Sequence, residues 1–336
     1  MEGIKILKRP RLKKPYLIVA WPGMGEVAFK AASFLVEQLK AQEFASVGPE
    51  DFFYLAGSVV QNGLLSAPEL PQGRFYYWKN PATKRGGSAK ASGGKDEGND
   101  LIVFLSNAQP DLSRAESYSR RIIQVAKSFK VDTVVSFASM PQAIDHTQDS
   151  HVWFASTATE ISGSLEKLDL HALAEGQISG MNGLFLGIAK REGFRGFCLL
   201  GEIPLYTIQI ENPKASAAVL KVLSRVLKVP LELSGLTGQA QVMESEINKL
   251  LDYLKLGSQA AGPIGEEDVE KIKKTLNQLT KLPISVKERI EELFTQVKSD
   301  ISKAGQLKAE LDKWNAYKEY EDRFLDLFKK REEKNN

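Results

Sequence analysis

Four short runs of the chain are apolar at nearly every position: Leu17 to Ala20, Leu101 to Ser106, Thr133 to Ala138 and Phe197 to Gly201. Strands without alternation are covered on both faces, the condition of a parallel sheet lying between helix layers. The stretches between them change to a helical period. Val27, Ala31, Leu35 and Leu39 recur every four residues after Gly25 and predict a helix with one stripe against the sheet. Ser113 and Glu116 have the spacing of a capping box, ahead of a face made by Ala115, Tyr118, Ile122, Val125, Ala126 and Phe129. Asn212 as N-cap and Pro213 at the first helical position open another helix, striped by Ala217, Leu220, Leu223 and Leu227. Met243, Ile247, Leu250 and Leu254 mark a fourth. From Asp51 to Asn80 the pattern shortens to alternating runs with turns, such as RFYYWKN, and predicts a hairpin or small meander inserted in the sheet. The predicted fold class is α/β, a mostly parallel sheet flanked by helices with some antiparallel strands.

Two segments depart from this pattern. Pro81 to Asn99 is rich in Gly, Ser, Lys and Ala and has no apolar residue larger than alanine, so it cannot repay the entropy of ordering. It is expected to be a mobile hairpin tip, because it lies directly between two strands. Beyond Gly257 the α/β pattern stops, and from Glu266 the chain is charged and helical. Val269, Ile272, Leu276 and Leu279 stripe one helix; Pro283 breaks it, and Ser285 with Glu288 caps the next. In that last helix Val286, Ile290, Leu293, Val297, Ala304, Leu307, Leu311 and Trp314 form a heptad seam, spoiled at Asp300 and weakened at Gly305. Unbroken from Ser285 to Lys330 it would run roughly 70 Å, so it must pack within the chain as a hairpin or on another subunit as a coiled coil. The chain therefore divides into an α/β domain, residues 1–256, and a C-terminal helical extension, residues 257–336.

Composition changes this picture little. With 336 residues, 43% hydrophobic and 26% charged, the chain can bury a large core. A net charge of +3 leaves no field that argues for nucleic acid. The basic excess sits in Lys5, Lys8, Arg9, Arg11, Lys13 and Lys14, read as a solvated arm. The apolar run that follows is too short for a membrane or an export signal, so no membrane partner is expected. Cys198 is the one cysteine and cannot form an internal disulfide, which suits a reducing cytoplasm.

Candidate chemistry is sparse. Gly23, Gly25 and Ala28 spell G-x-G-x-x-A between a strand and a helix, the outline of a dinucleotide loop. Glu26 stands against it, since a carboxylate in the first helical turn would occupy the positive end that a pyrophosphate needs. The turn is therefore expected to be empty and Glu-capped. GGK at Gly93 to Lys95 is followed by Asp96, which excludes a P-loop. His146 and His151, with Asp145 and Asp149, follow the Thr133 strand and could gather metal ligands, but lack a metal-motif spacing; a polar loop accounts for them. His171 has no evident partner, and Cys198 inside a strand reads as an inert core thiol. No nucleophile elbow is present. MESE, Met243 to Glu246, resembles the Met-Glu stretch with which nucleoside phosphorylases grip a ribose, but its helical period places Met243 on an apolar stripe. No catalytic residue, cofactor or metal is expected.

Four features taken together resemble the proteasome assembly chaperone 2 family: the turn Pro22 to Gly25, Gln109 with Pro110 after a strand, Gly176 to Leu184 with Gly180, Asn182 and Gly183, and Asn212 to Ala218 before a Leu-rich helix. The likeness spans about Lys14 to Leu256. It implies one α/β domain of nucleoside-phosphorylase-like topology and a non-catalytic, chaperone-like protein that forms homo-oligomers, with proteasome-type α subunits or other proteins as clients. It makes the Pro22 to Gly25 turn a structural lead into the first helix. The alternative is an enzyme of phosphorylase or nucleosidase type with a strand-end pocket around Glu26, Asn107, Ser139, His146 and Glu202, which requires His146 to converge on Glu202 or Asn107.

Overall fold

The computed structural model of the chain describes residues 3–54, 58, 60–61, 63–81, 99–256, 284–313 and 316–332. The strands are β1 (Ile4–Ile6), β2 (Tyr16–Ala20), β3 (Gln42–Val47), β4 (Val60–Gln61), β5 (Leu64–Leu65), β6 (Gly73–Trp78), β7 (Leu101–Ser106), β8 (Thr133–Gln142), β9 (Val152–Ser156), β10 (His171–Ala172) and β11 (Arg195–Pro204). The helices are α1 (Val27–Gln38), α2 (Ala115–Ser128), α3 (Thr159–Glu166), α4 (Met181–Arg191), α5 (Pro213–Leu227) and α6 (Ser234–Leu256), then α7 (Ile284–Ser299), α8 (Ala304–Lys313) and α9 (Tyr317–Glu332).

Nine strands form one sheet in the order β1-β3-β6-β7-β2-β8-β11-β9-β10. The four predicted apolar runs are its centre, β7-β2-β8-β11, and they are mutually parallel. Antiparallel ladders flank them, β6 with β7 and β3 on one side and β9 with β11 on the other. The period of two along β2 divides the core. Ile18 and Ala20 face a cluster with α1 and α5, while Leu17, Val19 and Trp21 face one with α2 and α4. β8 and β11 run four residues beyond the predicted apolar stretches in one case and start two residues earlier and end three later in the other, because their polar ends stay in register to Pro204 and Gln142.

Several boundaries differ from expectation, each for a local reason. A 3-10 turn, Leu112–Arg114, precedes α2, so Asp111 is its cap, accepting the Ser113 N–H at 2.8 Å, and the capping box of Ser113 and Glu116 does not form. Glu116 instead receives Arg120 and Arg191 at 2.9 and 2.6 Å. The basic arm is tied down at its start, where β1 pairs with β3 and the Leu7 N–H reaches the Phe44 carbonyl at 2.8 Å. Between Asp51 and Asn80 the chain forms a separate two-stranded hairpin, β4 with β5, and then joins the sheet as β6. The segment predicted as a mobile tip connects antiparallel β6 and β7, with Trp78 opposite Leu101; its residues 82–98 lie outside the described residues. Asp100 closes its neck, taking the Asn80 N–H at 2.9 Å and the Lys13 N–H at 2.6 Å.

The long C-terminal helix is three helices. Asp300 ends α7 and caps the 3-10 turn Ile301–Lys303, accepting the Ser302 N–H at 3.1 Å and its hydroxyl at 2.7 Å. An aspartate at this place favours a helix start over a helix interior. The seam residues Ile290, Leu293, Val297, Ala304, Leu307 and Leu311 are all buried, and α7 packs on α8 and α9 of the same chain. Arg323 of α9 locks onto Glu291 of α7 through both guanidinium nitrogens, at 2.6 and 2.8 Å, and lies 4.3 Å over the Phe294 ring. The side chains of Val286 and Trp314, and the predicted helix from Val269 to Leu279, lie outside the described residues.

Candidate functional site

In an open α/β sheet, ligands gather where neighbouring crossovers leave in opposite directions. Here that point is the carboxyl end of β2, between β7 and β8, and the four quoted motifs meet there. Trp21 leaves β2 fully buried against Phe104 and Phe185. Its backbone N–H and carbonyl are both taken by one side chain, Asn182 of α4, at 3.0 and 3.0 Å. Gln109 spans the next gap, donating to the Pro22 carbonyl at 2.8 Å and accepting the Met181 N–H at 3.1 Å. Pro110 is buried behind it. On the other side the Gly25 N–H donates to the Ile208 carbonyl and the Gly25 carbonyl accepts the Asn212 N–H, both at 2.8 Å. The Asn212 side chain then caps α5 at the Ala215 N–H, 2.9 Å away.

Two glycines are required by these contacts. A Cβ at Gly180, whose φ is +72°, would lie 3.0 Å from the Gln109 amide, and one at Gly183 would lie 2.0 Å from the Ile178 carbonyl. The turn Pro22 to Gly25 is thus closed by the chain's own polar groups. Glu26 departs from expectation. Its backbone is left-handed, φ 51°, and its carboxylate does not cap α1. Its backbone N–H instead bonds the Gly23 carbonyl at 2.9 Å. Half-burial raises its carboxyl above the usual range, and Glu211 adds to this. Below the turn Val27, Ala31 and Leu35 are buried, and Leu39 is half-buried.

The second candidate lies at the ends of β8 and β11. His146 and Glu202 line one cavity of about 30 Å³ together with Lys214, Met243 and Glu244. Met243, expected on a core stripe, therefore faces this cavity from α6. Each polar group is already engaged. The His146 backbone N–H and Nδ1 both meet the Tyr206 hydroxyl at 2.8 Å, and Nε2 meets Asn248 Oδ1 at 2.9 Å. Nδ1 also lies 3.3 Å from the Asp145 carboxylate. Glu202 accepts the Trp153 indole N–H at 2.7 Å. Lys214 ion-pairs with Glu244 and donates to the carbonyls of His146 and Gln148 at 2.8 and 3.0 Å. Together these bonds strap residues 143–151 onto α5 and α6.

Of the five pocket candidates, only His146 and Glu202 line this cavity. Asn107 is spent on the Gln72 N–H at 2.8 Å. Ser139 pairs with Gly201 within the β8–β11 ladder, and Glu26 sits at the β2 turn. His151 is exposed while His146 is buried, so the two histidines part, and His171 stacks 5.6 Å from Trp153 on the far edge. Tyr206, Asn248 and Trp153 carry no motif and were missed; partners 60 and 102 residues apart leave no local signal. Burial pushes the Cys198 thiol up to about 12.

Comparison with known proteins agrees with the convergence of the motifs on one point. The profile of the PAC2 family matches residues 17–251. The chain belongs to the PAC2 family. An uncharacterized relative from Methanocaldococcus jannaschii is 27% identical over 266 residues, covering 78% of this chain and 93% of its own. The PAC2 fold is shared with the crystal structure of Pyrococcus furiosus PbaB, an archaeal proteasome activator, at TM-score 0.61 and 24% identity over 74% of this chain and 97% of that one. P. furiosus PbaA, an archaeal homolog of proteasome-assembly chaperone, matches at TM-score 0.56 and 22% identity over 83% and 100%. A Mycobacterium tuberculosis proteasome-assembly chaperone homologue matches at TM-score 0.56 and 20% identity over 70% and 94%. In this PAC2 chain the match ends within α6, so α7 to α9 lie beyond the family region. Among the described residues no helix is long and apolar enough to cross a membrane.

Proposed function

We propose that the chain is a non-catalytic, chaperone-like protein-binding module that acts as a homo-oligomer in the cytoplasm, with proteasome components or related assemblies as clients. The observation that carries this reading is the state of the sheet's carboxyl end. At the β2 switch point Asn182, Gln109 and Asn212 fill the gap with hydrogen bonds. At the β8 and β11 ends the cavity of about 30 Å³ holds roughly one water molecule, far below the several hundred Å³ of a small-molecule site. His146 and Glu202 line this cavity together, as the enzyme alternative requires, but His146 is bonded to Tyr206 and Asn248 and Glu202 to Trp153, and a nucleoside has no room there. A larger cavity, of about 230 Å³, lies at the opposite ends of the strands beside Tyr16, Glu160 and Arg195 and holds none of the candidate residues; the carboxyl end itself supports a protein that works through its outer surface. Membership of the PAC2 family, and a fold shared with an archaeal proteasome activator and proteasome-assembly chaperone homologues, support the same direction.

The test uses the purified full chain. Light scattering should give a mass of several chains, and immobilised protein should retain proteasome core particle or its free α-type subunits from the same organism. A monomer that retains neither refutes the reading. Calorimetric titration with nucleosides and inorganic phosphate should give no heat; saturable binding with turnover would restore the enzyme alternative.

A further inference from the structure

The amino ends of three neighbouring strands open onto the cavity of about 230 Å³. Tyr16, Thr133 and Arg195 begin β2, β8 and β11, and Thr133 stands opposite Arg195 in the ladder. α3 walls one side with Ile161 and Leu165, and Val226, in the last turn of α5, walls the other. Arg225, its neighbour on α5, ties these walls together by donating to the Leu168 carbonyl at 3.0 Å. Leu165 and Phe197 are buried and Ile161 and Val226 half-buried, so the lining is apolar at its floor. Most polar groups around it are spent. Ser164 donates to the Glu160 carbonyl of its own helix at 2.8 Å, Thr133 donates to Asp132 at 3.2 Å, and Arg195 pairs with Asp132. Two are not: the Tyr16 hydroxyl and the Glu160 carboxylate make no hydrogen bond among the described residues. Burial raises the Tyr16 phenol above its ordinary value, with Asp132 adding and Arg195 opposing, so it keeps its proton near neutral pH.

We propose that this cavity binds a small organic amine, an apolar body of about nine non-hydrogen atoms that carries one ammonium group. Size sets the body. An apolar cavity of about 150 Å³ takes up benzene, so about 230 Å³ has room for a ring with a short side chain and none for a nucleoside. Apolar walls with a few placed polar groups are the composition of a small-molecule site. Charge sets the head group. Arg195 is one cation between two carboxylates, paired with Asp132 and within electrostatic reach of Glu160, so the mouth keeps a net negative charge. A carboxylate ligand would be repelled by Glu160 and would find no free cation in the lining, because Arg195 is held by Asp132. An ammonium finds the Glu160 carboxylate to pair with and the Tyr16 oxygen to accept an N–H. The floor thus supplies affinity, and Glu160 the choice of charge. This site goes beyond the protein-binding reading above and does not depend on it.

The purified full chain is titrated calorimetrically with three probes of matched size: phenethylamine, phenethyl alcohol and phenylacetate. The amine should saturate with a Kd below about 1 mM, roughly tenfold tighter than the alcohol, and phenylacetate should bind weakest. Glu160 is exposed, so Glu160→Gln leaves the fold intact. It should bring the amine to within about twofold of the alcohol, whose own affinity should not move. Val226→Trp fills the cavity and should abolish binding of both, with an unchanged far-ultraviolet spectrum; if it does not fold, Glu160→Gln decides alone. An amine that gives no saturable heat at about 10 mM, or that binds no tighter than the alcohol or phenylacetate, overturns the inference. An amine affinity that Glu160→Gln lowers by less than about threefold, or that a folded Val226→Trp chain retains, places the ligand elsewhere and overturns it too. Oligomeric mass and core-particle binding are separate readouts that bear on the earlier reading alone.

Discussion

Asn182→Ala isolates the contact that joins α4 to the central strand. The Asn182 side chain accepts the Trp21 N–H and donates to the Trp21 carbonyl, both at 3.0 Å, with 5% of Asn182 and none of Trp21 exposed. Truncation leaves two backbone groups buried without partners. Each such group costs about 1–3 kcal/mol, and the lost packing of a small amide adds little, so about 2–5 kcal/mol is expected. Against a total stability of about 5–15 kcal/mol this is a large fraction. With about 2–4 °C of midpoint per kcal/mol for a chain of this order of size, the fall should be roughly 5–15 °C. Gln109→Ala is the control. It also removes two hydrogen bonds to the same region, but Gln109 is exposed, and water can replace both partners. Its cost should stay near 1 kcal/mol. Differential scanning fluorimetry of both variants, with urea unfolding to check the ranking, decides the matter. If Asn182→Ala melts within 1–2 °C of wild type, or no lower than Gln109→Ala, burial is not what makes this contact strong and the reasoning fails.

Three further outcomes follow from single residues. Gly183→Ala should destabilise by about 2 kcal/mol or more, since its Cβ would lie 2.0 Å from a backbone oxygen, whereas Gly187→Ala in the same helix has nothing within 4 Å and should stabilise by about 0.5–1 kcal/mol; opposite shifts in urea midpoint check this. Cys198 titrates near 9.0 when unfolded and at about 12 when folded, so between those values the folded chain holds a proton the unfolded chain has lost. Stability should therefore fall above about pH 9, by up to about 1.4 kcal/mol per pH unit from this group, and Cys198→Ala should flatten that slope in a pH series of urea melts. Arg323→Lys should release α9 from α7, because an ammonium cannot hold both Glu291 oxygens while lying flat on Phe294. The pair is about half exposed, so the expected cost is near 1 kcal/mol, read as faster amide exchange in α9 alone.

How much could be read beforehand depended on the range of the cause. The central strands, α1, α2 and α5 are written in local periodicity, because a residue's face follows from backbone geometry within a few positions; the stripe expected on α6 is not the buried one, since Leu250 is exposed and Leu236, Ala240 and Leu251 are buried. The motif turns were also legible as turns, since Gly180 and Pro213 constrain their own backbone. What Gln109, Asn182 and Asn212 hold was not, because a side chain bonds whatever the fold brings near it, and Asn182 finds Trp21 across 161 residues. Local rules misled where two local preferences competed. Asp111 caps a 3-10 turn ahead of α2 in place of the expected Ser113 capping box, and Asp300 turned a heptad seam into a bend, each by bonding an N–H two residues on.

By itself, then, the chain determined its α/β class, its central strands and the stripes of α1, α2 and α5, all set by the order of polar and apolar groups along the backbone. Only the tertiary structure decided that His146 and Glu202 share a cavity yet bond elsewhere, that Asn107 stands apart from both, and that the glycine turn is sealed by amides from three distant segments. These depend on distances between residues far apart in sequence, and such distances exist only once the sheet has been assembled.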